Sequence, residues 1–239
     1  MSLGSSCAGV GGNRTESGTP LMLLAQTFTY ALAHRHDVLL ALREHIALSV
    51  AALLIAVIVG VPLGIWTSRS PSGQSVVSLV TALRVIPSLA LLAFMLPLLG
   101  IGFAPALAAL ALLAFPPILI NTDVAFRGIS PSIREAALGM GMRPAQMLRR
   151  IEYPLATPVM IAGLRTSTIE VIASATLAAF IGAGGLGNFI LDGLANNDMR
   201  QLLLGGSSVA LLALAAEGLL SAMLLLSSRR LGSAAHATR

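Results

Sequence analysis

Residues 46–66 read IALSVAALLIAVIVGVPLGIW, a run of 21 residues without a charged side chain. Twelve of them are Leu, Ile or Val, a content that favours membrane insertion by roughly 5 kcal/mol. Such a stretch predicts a transmembrane helix. The whole chain is 56% hydrophobic and 10% charged, whereas soluble domains are about 25% charged. The sequence therefore predicts an integral membrane protein and excludes a soluble, disordered or disulfide-stapled chain.

Four more apolar stretches follow the first. They predict an all-α, polytopic transmembrane helical bundle with five strong spans, at residues 46–66, 76–99, 104–120, 158–183 and 202–226. A sixth span stays open, made either by splitting 158–183 or by placing 21–45 in the membrane. We expect a flexible tail (1–20), an interfacial N-terminal helix (21–45), a transmembrane domain (46–230) with a long loop (121–157), and a second tail (231–239).

The basic residues indicate which side of the membrane each segment faces. All 15 of them are arginine. With five spans, ten arginines fall on the side of the long loop and the C-terminus, and four fall on the other side. The positive-inside rule therefore places the loop and the C-terminus in the cytoplasm and the N-terminus outside. The arginines are scattered and not interleaved with aromatic residues, so the lipid bilayer is an expected partner and nucleic acid is not.

The long loop reads as two short helices around a glycine turn. Ser132 followed by Glu135 fits a capping box, and Ser130-Pro131 offers an alternative start slightly earlier. The first helix is predicted to end at Gly139 or Gly141, where a positive φ has no steric cost. The second is predicted to begin at Pro144, to run through Arg150 and to be stopped by Pro154. Four residues share one face of the first helix: Ile133, Ala136, Ala137 and Met140.

At this loop the sequence resembles the EAA motif of ABC importer permeases. The matching residues are Glu135, Ala136, Ala137, Gly141, Ile151 and Pro154. One position departs, because Tyr153 stands where leucine is usual, and a tyrosine can fill the same apolar slot. Residues 86–91, 141–150 and 181–187 are similar to the osmoprotectant branch of these permeases, so that the resemblance covers about 40–230.

This resemblance implies the type I ABC importer permease fold in the inner membrane and inward transport of glycine betaine, choline or carnitine. It implies an ATPase dimer that receives the helix 135–141, a second permease subunit that is identical or paralogous, and a substrate-binding protein. The expected subunit has no catalytic residues, cofactor or metal. The chain has no G-x-x-x-x-G-K-[ST] phosphate loop, so the energy is expected from another polypeptide.

Three ionisable residues lie within the predicted spans: Arg84, Glu170 and Glu217. Ionisable groups in a membrane mark a pathway or a buried ion pair. A carboxylate attracts a quaternary ammonium group, and Pro87 interrupts the second span just after Arg84, so these four residues are candidates for a pathway or gate. The alternative is structural: Glu170 pairs with Arg165, and Pro87 makes an ordinary kink.

Two other functions stay open at this point. The same class of permease with methionine or another amino acid as cargo shares the Gly-Gly-Leu-Gly segment at 184–187. A stand-alone channel or membrane enzyme is the alternative from a different class. Residues 182–187 also fit G-x-G-x-x-G, but a membrane span and not a strand precedes them, so a dinucleotide site is rejected.

Overall fold

A computed structural model describes the backbone of residues 20–236 and the side chains of residues 22–225. Within these limits all regular elements are helical. They are α1 (Pro20–Ala33), α2 (Arg35–Arg69), α3 (Gly73–Leu83), α4 (Ser88–Leu99), α5 (Phe103–Arg127), α6 (Pro131–Gly139), α7 (Pro144–Met147), α8 (Tyr153–Ala175), α9 (Gly187–Ala195) and α10 (Met199–His236). A π-helical segment, Leu148–Glu152, joins α7 to α8, and a 3-10 helix, Leu177–Ile181, follows α8. Of the predicted tail 1–20, residues 1–19 lie outside the described part of the chain. The second predicted tail, 231–239, is helical as far as His236, because α10 continues into it.

Four helical segments of the described chain are long and apolar enough to cross a membrane. They are α2, α5, the continuous helix Pro144–Ala175 and α10 as far as Leu225. The second predicted span, 76–99, is a broken pair of helices, α3 and α4, bent by 94°, which brings the number of spans to five if the pair counts as one. The break spans residues 84–87 because Pro87 has no N–H to donate and disfavours helical geometry at Ile86.

The N-terminal region differs from the prediction of one interfacial helix over 21–45. The helical break falls at His34, and α2 is a single helix from Arg35 to Arg69. Residues 35–45 contain no Gly or Pro and consist largely of good helix formers, so nothing ends the helix before the span begins. His45, the last residue of the predicted interfacial helix, is buried with its Nε2 3.1 Å from the Ile172 carbonyl oxygen.

The core lies where α2, α5 and α8 pack together. Gly60 and Gly64 bring α2 against α5: a Cβ at Gly64 would lie 2.8 Å from the carbonyl oxygen of Leu119. This close approach is the small-residue packing typical of helices in membranes. α8 is joined to α5 by Ser167, whose hydroxyl donates to the Ala114 carbonyl at 2.9 Å. The three helices thus form the frame that carries the loop between α5 and α8.

Candidate functional site

The connection between α5 and α8, residues 128–152, is shorter than the predicted loop 121–157. α5 continues to Arg127, and α8 begins at Tyr153. α6 begins at Pro131 with Ser130 as its N-cap residue, and no side chain caps the helix. The capping box of Ser132 and Glu135 is therefore wrong, and the alternative start is confirmed. Proline suits the first turn because its missing N–H would be unpaired there anyway.

Gly141 makes the turn between α6 and α7, as predicted. Its φ is +77°, in the left-handed region. The Gly141 N–H donates to the Leu138 carbonyl at 2.9 Å, and the Met142 N–H donates to the Ala137 carbonyl at 3.1 Å. This pair of bonds is a Schellman motif, which satisfies the last carbonyls of α6. The turn is therefore closed by the backbone alone.

Pro154 does not stop the second helix, contrary to the sequence-based expectation. The helix runs from Pro144 through the π-helical segment into α8 and on to Ala175. A proline inside a helix removes one hydrogen bond and its ring crowds the preceding turn. The wider π turn directly before Pro154 accommodates that crowding. The second helix of the loop and the span α8 are consequently one continuous body.

α6 leaves most of its surface uncovered in this chain. Of its nine residues only Ala137 is buried. Glu135 and Ala136 are exposed, and so is the apolar side chain of Leu138. Met140, just beyond the helix, is 69% exposed. Ile151 and Pro154, the two other residues of the motif beyond the turn, are half-buried. The predicted motif residues are thus brought to one loop, with one side of α6 free for contact.

A buried carboxylate beside this loop was missed by the sequence reasoning. Glu152, at the end of the π-helical segment, has a side chain only 1% exposed. Arg134 of α6 donates through Nε to its Oε1 at 2.7 Å, and Arg69 at the end of α2 donates to its Oε2. Arg134 also donates to the Phe126 carbonyl at 2.7 Å. We call Glu152, Arg69 and Arg134 the loop triad.

A second ion pair lies next to the loop triad. Arg127 donates to both carboxylate oxygens of Asp123, at 3.1 and 2.8 Å. The same guanidinium donates to the Thr67 carbonyl at 2.9 Å and so reaches α2. The signal available in the sequence is composition: residues 121–157 hold five arginines and three carboxylates. In such a cationic segment a carboxylate is expected to be paired, but its partners depend on the fold.

The charged residues within the spans are arranged differently from the predicted pairing. Arg165 pairs with Glu217 of α10, not with Glu170 on its own helix. Glu170 is half-buried, and its Oε2 has no hydrogen-bond partner among the described residues. Arg84, the third ionisable residue of the predicted spans, lies at the break between α3 and α4. Glu217 also has one oxygen, Oε2, without a partner among the described residues, so the two carboxylates differ in the ion pair with Arg165 that only Glu217 makes.

The opposite end of α8 is built from glycines. Gly182, Gly184 and Gly185 have φ values of +73°, +80° and +88°. The Gly185 N–H donates to Glu44 of α2 at 2.9 Å. A Cβ at Gly184 would overlap the same carboxylate, so no other residue fits there without displacing it. The glycines therefore allow this segment to lie close against α2.

The comparison with protein families decides the identity of this helical bundle. Residues 56–231 match the family model described as "Binding-protein-dependent transport system inner membrane component". The chain belongs to this family. This permease is an inner-membrane, multi-pass subunit of an ABC transporter, as the resemblance implied.

The curated relatives that this permease resembles are named as permeases for osmoprotectants. It is 43% identical over 179 residues to the choline transport system permease protein OpuBB of Bacillus subtilis, covering 74% of this chain and 82% of the relative. It is 42% identical over 191 residues to the carnitine transport permease protein OpuCB of Listeria monocytogenes, covering 79% and 87%. Its fold matches an inward-facing structure of the MetNI methionine ABC transporter with a TM-score of 0.72 at 20% identity, over 81% of this chain and 97% of that one. The predicted type I permease fold is confirmed.

Proposed function

We propose that this permease moves quaternary-ammonium osmoprotectants, such as glycine betaine, choline and carnitine, into the cell, driven by a separate ATPase. The observation that carries this proposal is the loop between α5 and α8, in which Glu135 and Leu138 lie exposed on a helix anchored to the spans. Its relatives at 40–43% identity, which include a glycine betaine/carnitine/choline permease of Bacillus subtilis, favour these cargoes over methionine. The likeness to the methionine transporter supports the fold only.

In this proposal α6 is the coupling helix. Glu135, Ala136, Ala137, Gly141, Ile151 and Pro154 form the site that docks into a groove on the ATPase. Small side chains at 136 and 137 allow close approach, and the exposed Leu138 and Met140 supply apolar contact. Closure of an ATPase dimer on ATP moves the docked helix, and the attached spans change between inward-facing and outward-facing states.

The complete transporter then contains two permease subunits, identical or paralogous, and a binding protein outside the membrane. Tight recognition of a quaternary ammonium group uses several aromatic side chains. Only 4% of this chain is aromatic, which suits delivery of the substrate by a partner. The arginine distribution supports a cytoplasmic loop and C-terminus with the N-terminus outside.

Among the pathway candidates, Glu170 is favoured because it forms no ion pair with the described residues, whereas Glu217 is held by Arg165 through one of its two oxygens. Arg84 and Pro87 remain candidates for a gate, since they bound the break between α3 and α4.

The test of the coupling role uses Glu135→Arg and Gly141→Asp in cells that carry the complete transporter. We expect uptake of radiolabelled glycine betaine to be abolished while the permease remains at its normal level in the membrane. Glu135→Gln, which keeps the size and loses only the charge, serves as the matched variant with an intermediate loss. Undiminished co-purification of the ATPase with Glu135→Arg would contradict the docking role.

The substrate is tested in the same cells by comparing uptake of betaines and of amino acids with and without this gene. Gene-dependent uptake of glycine betaine, choline or carnitine is expected. Gene-dependent uptake of methionine alone would show that the proposed substrate is wrong and that methionine is the cargo. The assignment as an ABC permease would be unaffected.

A further inference from the structure

We propose that Glu152 is a positioning residue for transport, because it joins the coupling helix α6 to two spans at once. This inference rests on the proposed function. Through Arg134 the carboxylate holds α6, through Arg69 it holds the end of α2, and it belongs to the helix that continues into α8. A displacement of α6 therefore reaches α2 and α8 together.

The attachment of α6 depends on these polar contacts more than on packing. Ala137 is its single buried side chain, and a methyl group buries little apolar area. Arg134 binds two elements at the same time: Nε donates to Glu152, and Nη2 donates to the Phe126 carbonyl of α5. Charge-assisted bonds of this kind are the stronger class of hydrogen bond in proteins.

The charges of the loop triad make the carboxylate its central member. A buried charge is costly unless it is paired, and Glu152 is buried while Arg69 and Arg134 are 41% and 30% exposed. Either arginine can turn toward water if the carboxylate is neutralised. Neutralising Glu152 therefore weakens both links, whereas changing one arginine weakens only its own.

Asp123 provides the matched control. Its side chain is 4% exposed, and its arginine partner, Arg127, lies four residues along the same helix. The Asp123 carboxylate thus resembles Glu152 in burial and is also paired with an arginine. Its ion pair stays within α5, and Arg127 extends only to the Thr67 carbonyl of α2, not to α6 or α8. Asp123→Asn removes a buried charge without cutting the connection between α6 and α8.

The experiment uses the whole transporter, with ATPase and binding protein, reconstituted in proteoliposomes. The measured quantity is glycine betaine taken up per ATP hydrolysed, together with the amount of ATPase that co-purifies. For Glu152→Gln we expect normal co-purification and a fall in this ratio of about tenfold or more, the scale of a lost hydrogen bond to a charged group. Asp123→Asn should keep the wild-type ratio.

Arg134→Lys is the second variant, because it keeps the charge and lies at a partly exposed position. One ammonium group cannot reproduce both the Nε and the Nη2 contacts, so a smaller fall in the ratio is expected. If the transporter with Glu152→Gln does not assemble, the uptake per ATP of Arg134→Lys tests the proposal instead.

A purely structural role would lower the amount of assembled complex and leave the uptake per ATP unchanged. That result for Glu152→Gln, or for Arg134→Lys where the first variant does not assemble, overturns the proposal. An equal fall in Asp123→Asn also overturns it. If the wild-type permease itself retains no ATPase, the proposed function fails, and the coupling role of Glu152 fails with it.

Discussion

The two ends of α8 are held in place by different chemistry. At its N-terminal end, the loop triad joins side chains from α2, α6 and the π-helical segment around one buried carboxylate. Beyond its C-terminal end, after the 3-10 helix, lie three glycines with left-handed backbone, and the Glu44 carboxylate accepts a hydrogen bond from the Gly185 N–H there. Side-chain ion pairs connect elements that can move as a unit, whereas a glycine segment depends on close backbone approach. The comparison indicates that side-chain ion pairs hold one end of α8 and that close backbone packing holds the other.

The largest expected effect is at the glycine end. A Cβ at Gly187 would overlap the carbonyl oxygen of Thr176, which is backbone and cannot rotate away. We expect Gly187→Ala to destabilise the fold by about 1–3 kcal/mol, measured as a lower midpoint of thermal unfolding in detergent. Gly206→Ala in α10 is the control, since no described atom lies within 4 Å of its added methyl group. Equal unfolding midpoints for Gly187→Ala and Gly206→Ala would contradict the conclusion that close backbone packing stabilises the glycine end.

A smaller and more local effect is expected at the turn of the loop end. Gly141 has φ +77° but open space around it, so an added methyl group brings backbone strain of about 1–2 kcal/mol and no clash. Gly141→Ala should speed hydrogen exchange of the Gly141 and Met142 amides, which close the Schellman motif. Gly139→Ala, two residues earlier and without a positive φ, should leave the exchange unchanged. Similar exchange in both variants would show that the turn does not depend on the left-handed conformation.

The smallest effect is expected from an ion pair that joins no separate elements. Arg200 donates to Asp198 at 2.9 Å from two residues away, and this hydrogen bond lowers the pKa of Asp198. A carboxyl whose pKa is lower in the folded state adds stability at neutral pH and loses it as the pH falls through that lowered pKa. Asp198→Asn should therefore cost at most about 1 kcal/mol near pH 7. In unfolding measurements at decreasing pH, its difference from wild type should shrink in acid; a difference that grows there would contradict the assignment.

The spans were predictable because membrane insertion depends on local composition. The span 46–66 is predictable from its own apolar composition, without knowledge of its neighbours in the fold. The break in the second span is predictable from Pro87, because proline has no N–H to donate within a helix. The motif from Glu135 to Pro154 was likewise readable, since its spacing lies within one loop. These features depend on residues that are neighbours in sequence.

The loop triad and the ion pair of Arg165 with Glu217 were not predictable in the same way. Arg69 and Glu152 are 83 residues apart, and Arg165 and Glu217 lie on different spans. Their position in the same half of one span suggested Glu170 as the partner of Arg165, although five residues is an imperfect helical spacing. The packing of α8 against α10 pairs Arg165 with Glu217 instead. Partners chosen by helix packing cannot be read from the periodicity of one helix.

The π-helical segment before Pro154 sets the angular phase between the loop and the span. A π turn holds one residue more than an α turn, and one residue corresponds to about 100° of rotation in an α-helix. Deleting a single residue from Leu148–Glu152 would thus turn everything before it by that angle relative to α8. The extra residue therefore determines which side of the preceding loop helix faces away from the membrane once α8 lies in the bilayer.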